Sequence, residues 1–375
     1  MTDLAVPSVE RRTRRSWRGV VPGLALVAVL AALPLVPVRL PVIFNGAFDT
    51  PGTLNLLGLM LVFGCLALSY DLLFGFTGLL SFGHALYFAV GVYTTTIAVS
   101  ELGLSLVPAA LLAAGVGLVV SLVLGAVSLR VDGIAFAMVT LAFAQAGHIF
   151  VLRDPFKVTG GEEGTAVAFG NLPPSLVGVF NTRNVYWVAL AFTVVVYLAA
   201  RFLVRSRAGH VWEAIRENEP RVQVLGLAPY PFKLLSFVLA SVIATTAGTV
   251  YVLLVGGANP GVTAATFTLT LLVMVVLGGS GTLWGAVLGG ALYTYLNTRL
   301  VSLSSSDLVD GLPGVIRGPL SEPLFVLGAV FVVVVLFFPG GIAGLRDTRV
   351  GRRTRELLLG VVDDARGRTG GRGGA

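Results

Sequence analysis

Histidine, cysteine and carboxylate side chains do most protein catalysis and metal binding, and here they are sparse and scattered. His84, His148 and His210 lie far apart and show no ligand spacing. Cys65 is the only cysteine, which excludes an internal disulfide and a cysteine-based metal site. Amid apolar neighbours it reads as a small filler. No His-Glu-x-x-His, no recognisable Ser/His nucleophile motif and no G-x-x-x-x-G-K-[ST] occurs. No catalytic or metal residues are therefore assigned. What remains is a set of polar residues in or beside apolar runs: Asp71, His84, Tyr93, Thr94, Gln145 and His148. Polar groups are costly in hydrocarbon, which makes these six the candidates for a translocation pathway. Each has a plainer reading too. Asp71 would pair with a backbone donor or with Arg130, and His84 would hydrogen-bond between helices. Tyr93 and Thr94, with Thr95 and Thr96, can satisfy their hydroxyls on their own helix. Gln145 and His148 fit a polar vestibule or simple packing equally well.

The elements that hold these residues are set by composition. Hydrophobic residues make up 55% of the 375 and charged ones 12%, with mean hydropathy +0.89. That much charge cannot clothe a soluble core of this size. The chain reads as an all-α polytopic membrane protein with no soluble domain, its solvent the lipid bilayer. An apolar helix of about 20 residues crosses the hydrocarbon. Segments of that kind fall near Val20–Val38, Leu54–Phe74, Leu79–Val99, Leu104–Leu129, Ile134–Leu152, Val185–Val204, Leu234–Val255, Val262–Leu277, Leu283–Leu300 and Leu324–Phe338. That is about ten helices, or eight if two of the shorter segments are half-helices or re-entrant. The first follows five arginines but is longer than a signal-peptide core, so a retained first helix is expected.

The net charge of +7 would suit nucleic acid if it formed one face, but the basic residues cluster between apolar segments instead. With ten spans and the N-terminus inside, 20 of the 26 Lys and Arg fall on the inner side. Three regions follow: a basic cytoplasmic arm at 1–19, a transmembrane domain at 20–338, and a basic cytoplasmic tail at 339–375 whose Gly/Arg end is expected to be disordered. The Gly-, Pro- and Asn-rich stretch from Arg153 to Asn184 is the longest external loop.

One charged island interrupts the apolar pattern between two spans, Arg205 to Leu227, RSRAGHVWEAIRENEPRVQVLGL. Ala208, Val211, Trp212 and Ile215 share one helical stripe, while His210, Glu213 and Glu217 face another side. Pro220 is expected to end the helix. Such a helix suits either a membrane surface or a groove on a soluble partner. Two glycine turns echo one another weakly, Gly75-Phe76-Thr77-Gly78-Leu79-Leu80 and Gly278-Gly279-Ser280-Gly281-Thr282-Leu283. Gly75, Gly78, Gly278, Gly281 and Gly285 are expected to allow tight turns and close helix approach.

Glu213-Ala-Ile-Arg-Glu-Asn-Glu219 followed by Leu225-Gly226 resembles the cytoplasmic coupling loop of ABC importer permeases, more narrowly the LivM-type permeases of branched-chain amino acid importers. The stretch Leu68 to Thr96, Lys233-Leu-Leu-Ser-Phe, Asn259-Pro, Thr159-Gly-Gly161 and Val276-Leu-Gly-Gly-Ser-Gly-Thr-Leu-Trp-Gly285 are similar in the same order, over roughly residues 50 to 340. The resemblance implies the ABC importer permease fold and part of the translocation pathway for branched-chain amino acids, with urea or short amides as the alternative cargo. An ion-coupled carrier using Asp71 and Glu322 is a further alternative. It also implies that Arg207, Gly209, Val211, Trp212, Glu213, Ile215, Arg216, Glu219 and Gly226 couple the chain to an ATPase. No cofactor would be bound here, and ATP would be hydrolysed by separate ATP-binding subunits. A second homologous permease and an extracytoplasmic substrate-binding protein complete the implied partners, in a bacterial plasma membrane. The apolar stripe is expected to seat in the ATPase.

Overall fold

The computed structural model describes residues 17–36, 47–304, 322–337 and 340–344. The basic arm at 1–19 and the tail at 339–375 lie outside the described residues, save for 17–19 and 340–344. The protein is all-α. The helices run α1 Trp17–Ala32, α2 Pro51–Asp71, α3 His84–Ser100, α4 Leu106–Ser128, α5 Gly133–Arg153 and α6 Thr182–Val204. They continue with α7 Arg207–Val224, α8 Pro229–Val255, α9 Ala265–Gly278, α10 Leu283–Ser304, α11 Pro323–Phe337 and the short α12 Gly341–Gly344. A two-residue antiparallel pairing of β1 (Thr165–Ala166) with β2 (Gly257–Ala258) ties one loop to the end of α8. Among the described residues, α2 with the turn that extends it, α4, α5, α6 and α8 are long and apolar enough to cross a bilayer.

Local chemistry explains the boundaries. Pro51 and Pro229 open α2 and α8, where a missing N–H has no helical acceptor to lose. Gly256, at φ 79°, closes α8 in the left-handed conformation that side chains avoid. α2 and α8 form the centre. α2 packs against α6, α8, α9 and α10, and α8 against α2, α3 and α4. In lipid no hydrophobic force draws helices together, so close packing must. α10 reaches α2 at Gly290, where a Cβ would come within 2.5 Å of the Phe63 carbonyl oxygen. α4, α5 and α6 turn much of their apolar surface outward, as lipid-facing helices do; Val107, Ile134 and Val195 are examples.

The two ends of the bundle differ. One carries the glycine turns, the α4–α5 turn and α7. The other carries the loop between α5 and α6, the β1–β2 pair and the turn at 259–264. Two departures from the expected spans matter. The run from Leu79 to Val99 is not one helix, because α3 begins only at His84. And α9 has 14 residues, a rise of only about 21 Å, short of a full span. The turn before it, Pro260–Thr263, packs on α5 beside His148. His148 lies five residues from the end of α5, so that turn reaches in by roughly 7 Å.

Candidate functional site

The charged island folds as α7 and lies along the end of the bundle, held by its own chain. Trp212 is fully buried, Ile215 is buried and Val211 half-buried. The indole N–H of Trp212 donates to the Phe232 carbonyl at 2.8 Å, which removes the cost of burying that donor. This corrects the expectation that the stripe seats in a partner: helical period placed the stripe, but the chain itself buries it, with the start of α8 accepting the indole N–H. Ser206 caps α7, its hydroxyl accepting from the Gly209 amide, and Gly209 is buried against Val204. Arg207, Glu213, Arg216 and Glu217 stay exposed.

Nor does Pro220 end the helix. The chain leaves helical geometry at Asn218 (φ −162°, ψ 93°) and restarts, running to Val224. The Asn218 carboxamide oxygen accepts from the Arg221 amide at 3.0 Å, a side-chain cap for the second piece. Pro220 then sits in a first turn, where its missing donor costs nothing. Beyond the kink, Val224 and Leu225 are 86% and 74% exposed, the largest apolar exposure on this segment. Gly226 turns the chain back at φ 83°.

The two glycine turns meet beneath α7. Past Asp71, α2 widens into a π turn over Leu72–Phe76, a geometry common at functional sites. Asp71 is fully buried; one carboxylate oxygen accepts from the Gly281 amide at 2.8 Å and the other has no protein partner. Its partner is thus a backbone donor, not Arg130. Arg216 of α7 donates from its guanidinium to the Gly75 carbonyl, closing a ring from α2 through the second turn and α7 back to the first. Side chains at Gly75 or Gly281 would collide with this ring: the first with the Asp71 carboxylate, the second with the Arg216 guanidinium. Gly78 lies against the Arg216 stem, and Gly278 and Gly285 bring α9 and α10 backbone to backbone. Phe76, Glu213, Arg216, Glu217 and Gly281 line a cavity of about 400 Å³ open at this face. Charge-assisted hydrogen bonds of this kind contribute about 1.5–3 kcal/mol each.

The remaining candidates scatter through the bundle. His84 shares a hydrogen bond of 2.9 Å with Ser69 and packs between Tyr70 and Tyr87. It stands where the broken segment 77–83 becomes α3. Backbone away from helix at membrane depth must find partners within the protein. It does: the Leu79 amide donates to the Leu73 carbonyl at 2.9 Å and the Phe82 amide to the Thr140 hydroxyl at 3.1 Å, while at the segment's edges the Ala85 amide reaches the Thr268 hydroxyl at 3.1 Å and the Thr77 and Ser236 hydroxyls bond at 2.6 Å. Thr140, Ser236 and Thr268 were not readable as site residues, since hydroxyls in apolar runs carry no spacing signal. Tyr93 is buried with its hydroxyl unpartnered, while Thr94 is half-buried. Gln145 is exposed on α5, and His148 hydrogen-bonds Thr263. Asp71 with Arg216, and His84 with its neighbours, thus belong to the α7 half of the molecule; Gln145 and His148 belong to the other.

At the opposite end, Asp154 closes α5 and gathers a loop. Its carboxylate accepts from the amides of Val158, Thr159 and Gly160 at 2.8–3.0 Å. The Thr159 amide foremost, with the other donors, holds this carboxyl below the usual carboxylate range. Among the described residues no group of His, Cys, Asp and Glu could hold a metal ion.

Comparison with known proteins bears on this arrangement. A family model described as the permease component of branched-chain amino acid transport systems matches residues 52–335. The chain is 29% identical over 271 residues to the high-affinity branched-chain amino acid transport system permease protein LivM of Escherichia coli K12, covering 64% of this chain and 62% of that protein. It is 28% identical over 267 residues to LivM of Salmonella typhimurium, with the same coverage. To BraD of Pseudomonas aeruginosa it is 24% identical over 303 residues, covering 75% of this chain and 91% of that one. The chain therefore spans 62% of the length of the two LivM proteins it matches. No solved structure matches.

Proposed function

Because the chain belongs to the family of branched-chain amino acid transport system permease components, we propose that it is a membrane-spanning permease subunit of an ATP-driven ABC importer. It forms part of the translocation pathway for branched-chain amino acids. The α7 end of the bundle faces the cytoplasm, and α7 with the exposed segment after it meets an ATP-hydrolysing subunit. This chain carries no catalytic role. A second homologous permease and an external binding protein complete the machine.

The observation that carries this reading is the mounting of α7. Its apolar stripe is anchored to α8 through Trp212, and Arg216 ties it to the first glycine turn at the end of α2, which Asp71 in turn bonds to the second. Its outer side presents Glu213 and Glu217, followed by Val224 and Leu225. A helix held rigidly on one side and free on the other can pass displacement from a soluble partner into the central helices. A loop resting on lipid has no need of a buried clasp.

Reconstitution tests it. Proteoliposomes containing this chain, the second permease, the ATP-hydrolysing subunits and the binding protein should accumulate labelled leucine on ATP addition and stop with vanadate. Isoleucine and valine should compete, and urea should not. Accumulation by this chain alone, or uptake that follows an ion gradient and ignores vanadate, would overturn the proposal. Competition by urea in place of valine would move the cargo to short amides.

A further inference from the structure

Lys233 is a buried cation in the first turns of α8, 4% exposed. Its ammonium lies 2.9 Å from an Asp132 carboxylate oxygen and 2.6 Å from one of Glu219. The three residues come from three elements: Asp132 from the turn that opens α5, Glu219 from the restart of α7 just after its kink, Lys233 from α8. α5 and α7 have next to no packing of their own against each other. The ammonium is what joins them.

Two features set this apart from an ordinary surface bridge. Asp132 occupies the position before α5 where an aspartate normally caps its own helix. Here it makes no such cap and gives its carboxylate to Lys233 instead. Local helix stability is forgone for a contact between elements, the kind of local exception expected at functional positions. Second, Glu219 sits on the half of α7 that the Trp212 anchor does not hold, separated from it by the Asn218 kink. The same half ends in the exposed Val224 and Leu225.

α5 is well placed to respond. It is peripheral, with most of its surface outside the core. Along its length it touches the elements least regular in the bundle: Thr140 receives the Phe82 amide of the broken segment, and His148 meets Thr263 in the turn before α9. Movement of its Asp132 end would be felt at both.

We propose that Lys233 is a positioning residue that carries displacement of the segment after the α7 kink to α5, linking partner ATPase movement to the helix that braces the two interruptions in the bundle. This rests on the importer reading given above. Lys233 acts through Asp132 and Glu219 and touches no cargo.

The test uses the whole importer in proteoliposomes, with ATP hydrolysis and leucine uptake measured together. In Lys233→Met the Asp132 carboxylate keeps its water at 77% exposure and Glu219 remains partly exposed at 30%, so the importer should assemble and its ATP-hydrolysing subunits should turn over at an unaltered rate. Uptake per ATP should fall by about tenfold, the scale of a lost coupling between sites. Lys233→Arg, which keeps the charge, should restore it, and Asp132→Asn should reproduce the loss with ATP hydrolysis intact. Undiminished uptake in Lys233→Met overturns the proposal. So does a loss of uptake, assembly and hydrolysis in equal measure, which marks a mere staple. Failure of the unaltered importer to take up leucine with ATP would instead overturn the importer reading, independently of any variant.

Discussion

Trp212→Ala separates two ways of using the apolar stripe of α7. If the stripe is seated in this chain, truncation frees α7 even when no partner is present. If it waits for a partner, the isolated chain should not notice. Trp212 is fully buried, so the change opens a cavity of nearly a whole indole and leaves the Phe232 carbonyl without its donor at 2.8 Å. Trp→Ala truncations in cores cost about 3–5 kcal/mol. At 1.4 kcal/mol per factor of ten, the docked-to-undocked ratio of α7 falls by about two to three and a half orders of magnitude. Amide hydrogen exchange across 207–217, on the chain purified alone in detergent, reads this directly. Protection should collapse there while α2 and α8 keep theirs. Trp212→Phe is the graded control. It keeps most of the packing and loses the hydrogen bond, a deficit of about 1–3 kcal/mol for the unsatisfied carbonyl. Unchanged exchange in Trp212→Ala would refute the docked arrangement and return the stripe to a partner's groove.

Three further outcomes are expected. Gly226→Pro should abolish uptake while leaving the chain in the membrane, because proline cannot reach φ 83° and removes the amide that bonds the Gln223 carbonyl; normal uptake would contradict this. With Cys65 buried and unreactive, a cysteine at exposed Glu162 should be labelled from outside intact cells and one at exposed Asn218 should not, and the reverse pattern would invert the orientation. Asp154 has its carboxyl held low, so its contribution to the loop at 154–160 is complete above the ordinary carboxylate value of about 4 and is lost as pH falls below that toward the depressed one. Hydrogen exchange at residues 158–160 should rise over that acid window, and Asp154→Asn should remove the pH dependence.

Much of the architecture was legible in the sequence because apolar runs of membrane length have few alternatives. The amphipathic helix in the charged island was legible for the same reason: period alone places Val211, Trp212 and Ile215 on one side. What period does not say is what lies against that side. The acceptor that holds the buried indole is the Phe232 carbonyl at the start of α8, twenty residues on, and only folding brings it back. Pro220 misled because proline forbids the middle of a helix but suits its first turn, and nothing in the local pattern announces that Asn218 starts a new helix. The glycine turn at Gly75–Gly78 was legible, but its continuation through Leu79–Gly83 was not: the apolar run resumes at Leu79, and the hydroxyls met by the Phe82 and Ala85 amides, on Thr140 and Thr268, come from distant helices.

The weak echo between the two glycine turns takes on a physical sense in the fold. Each turn alone is an ordinary loop. Together they form the seat of Arg216, and Asp71 from the first reaches the amide of the second. The buried carboxylate faces a backbone donor on one oxygen and nothing on the other, with the guanidinium close by. An arrangement with one satisfied and one open position costs more than a fully paired one. Lys233 anchors the second half of the same segment to α5, so the residues on either side of the kink bond to different parts of the bundle: Arg216 to the turn that extends α2, Glu219 through Lys233 to the start of α5. Because the Asn218 kink divides those halves, they need not move as one, and a partner gripping α7 could address the central helices and the peripheral one in sequence.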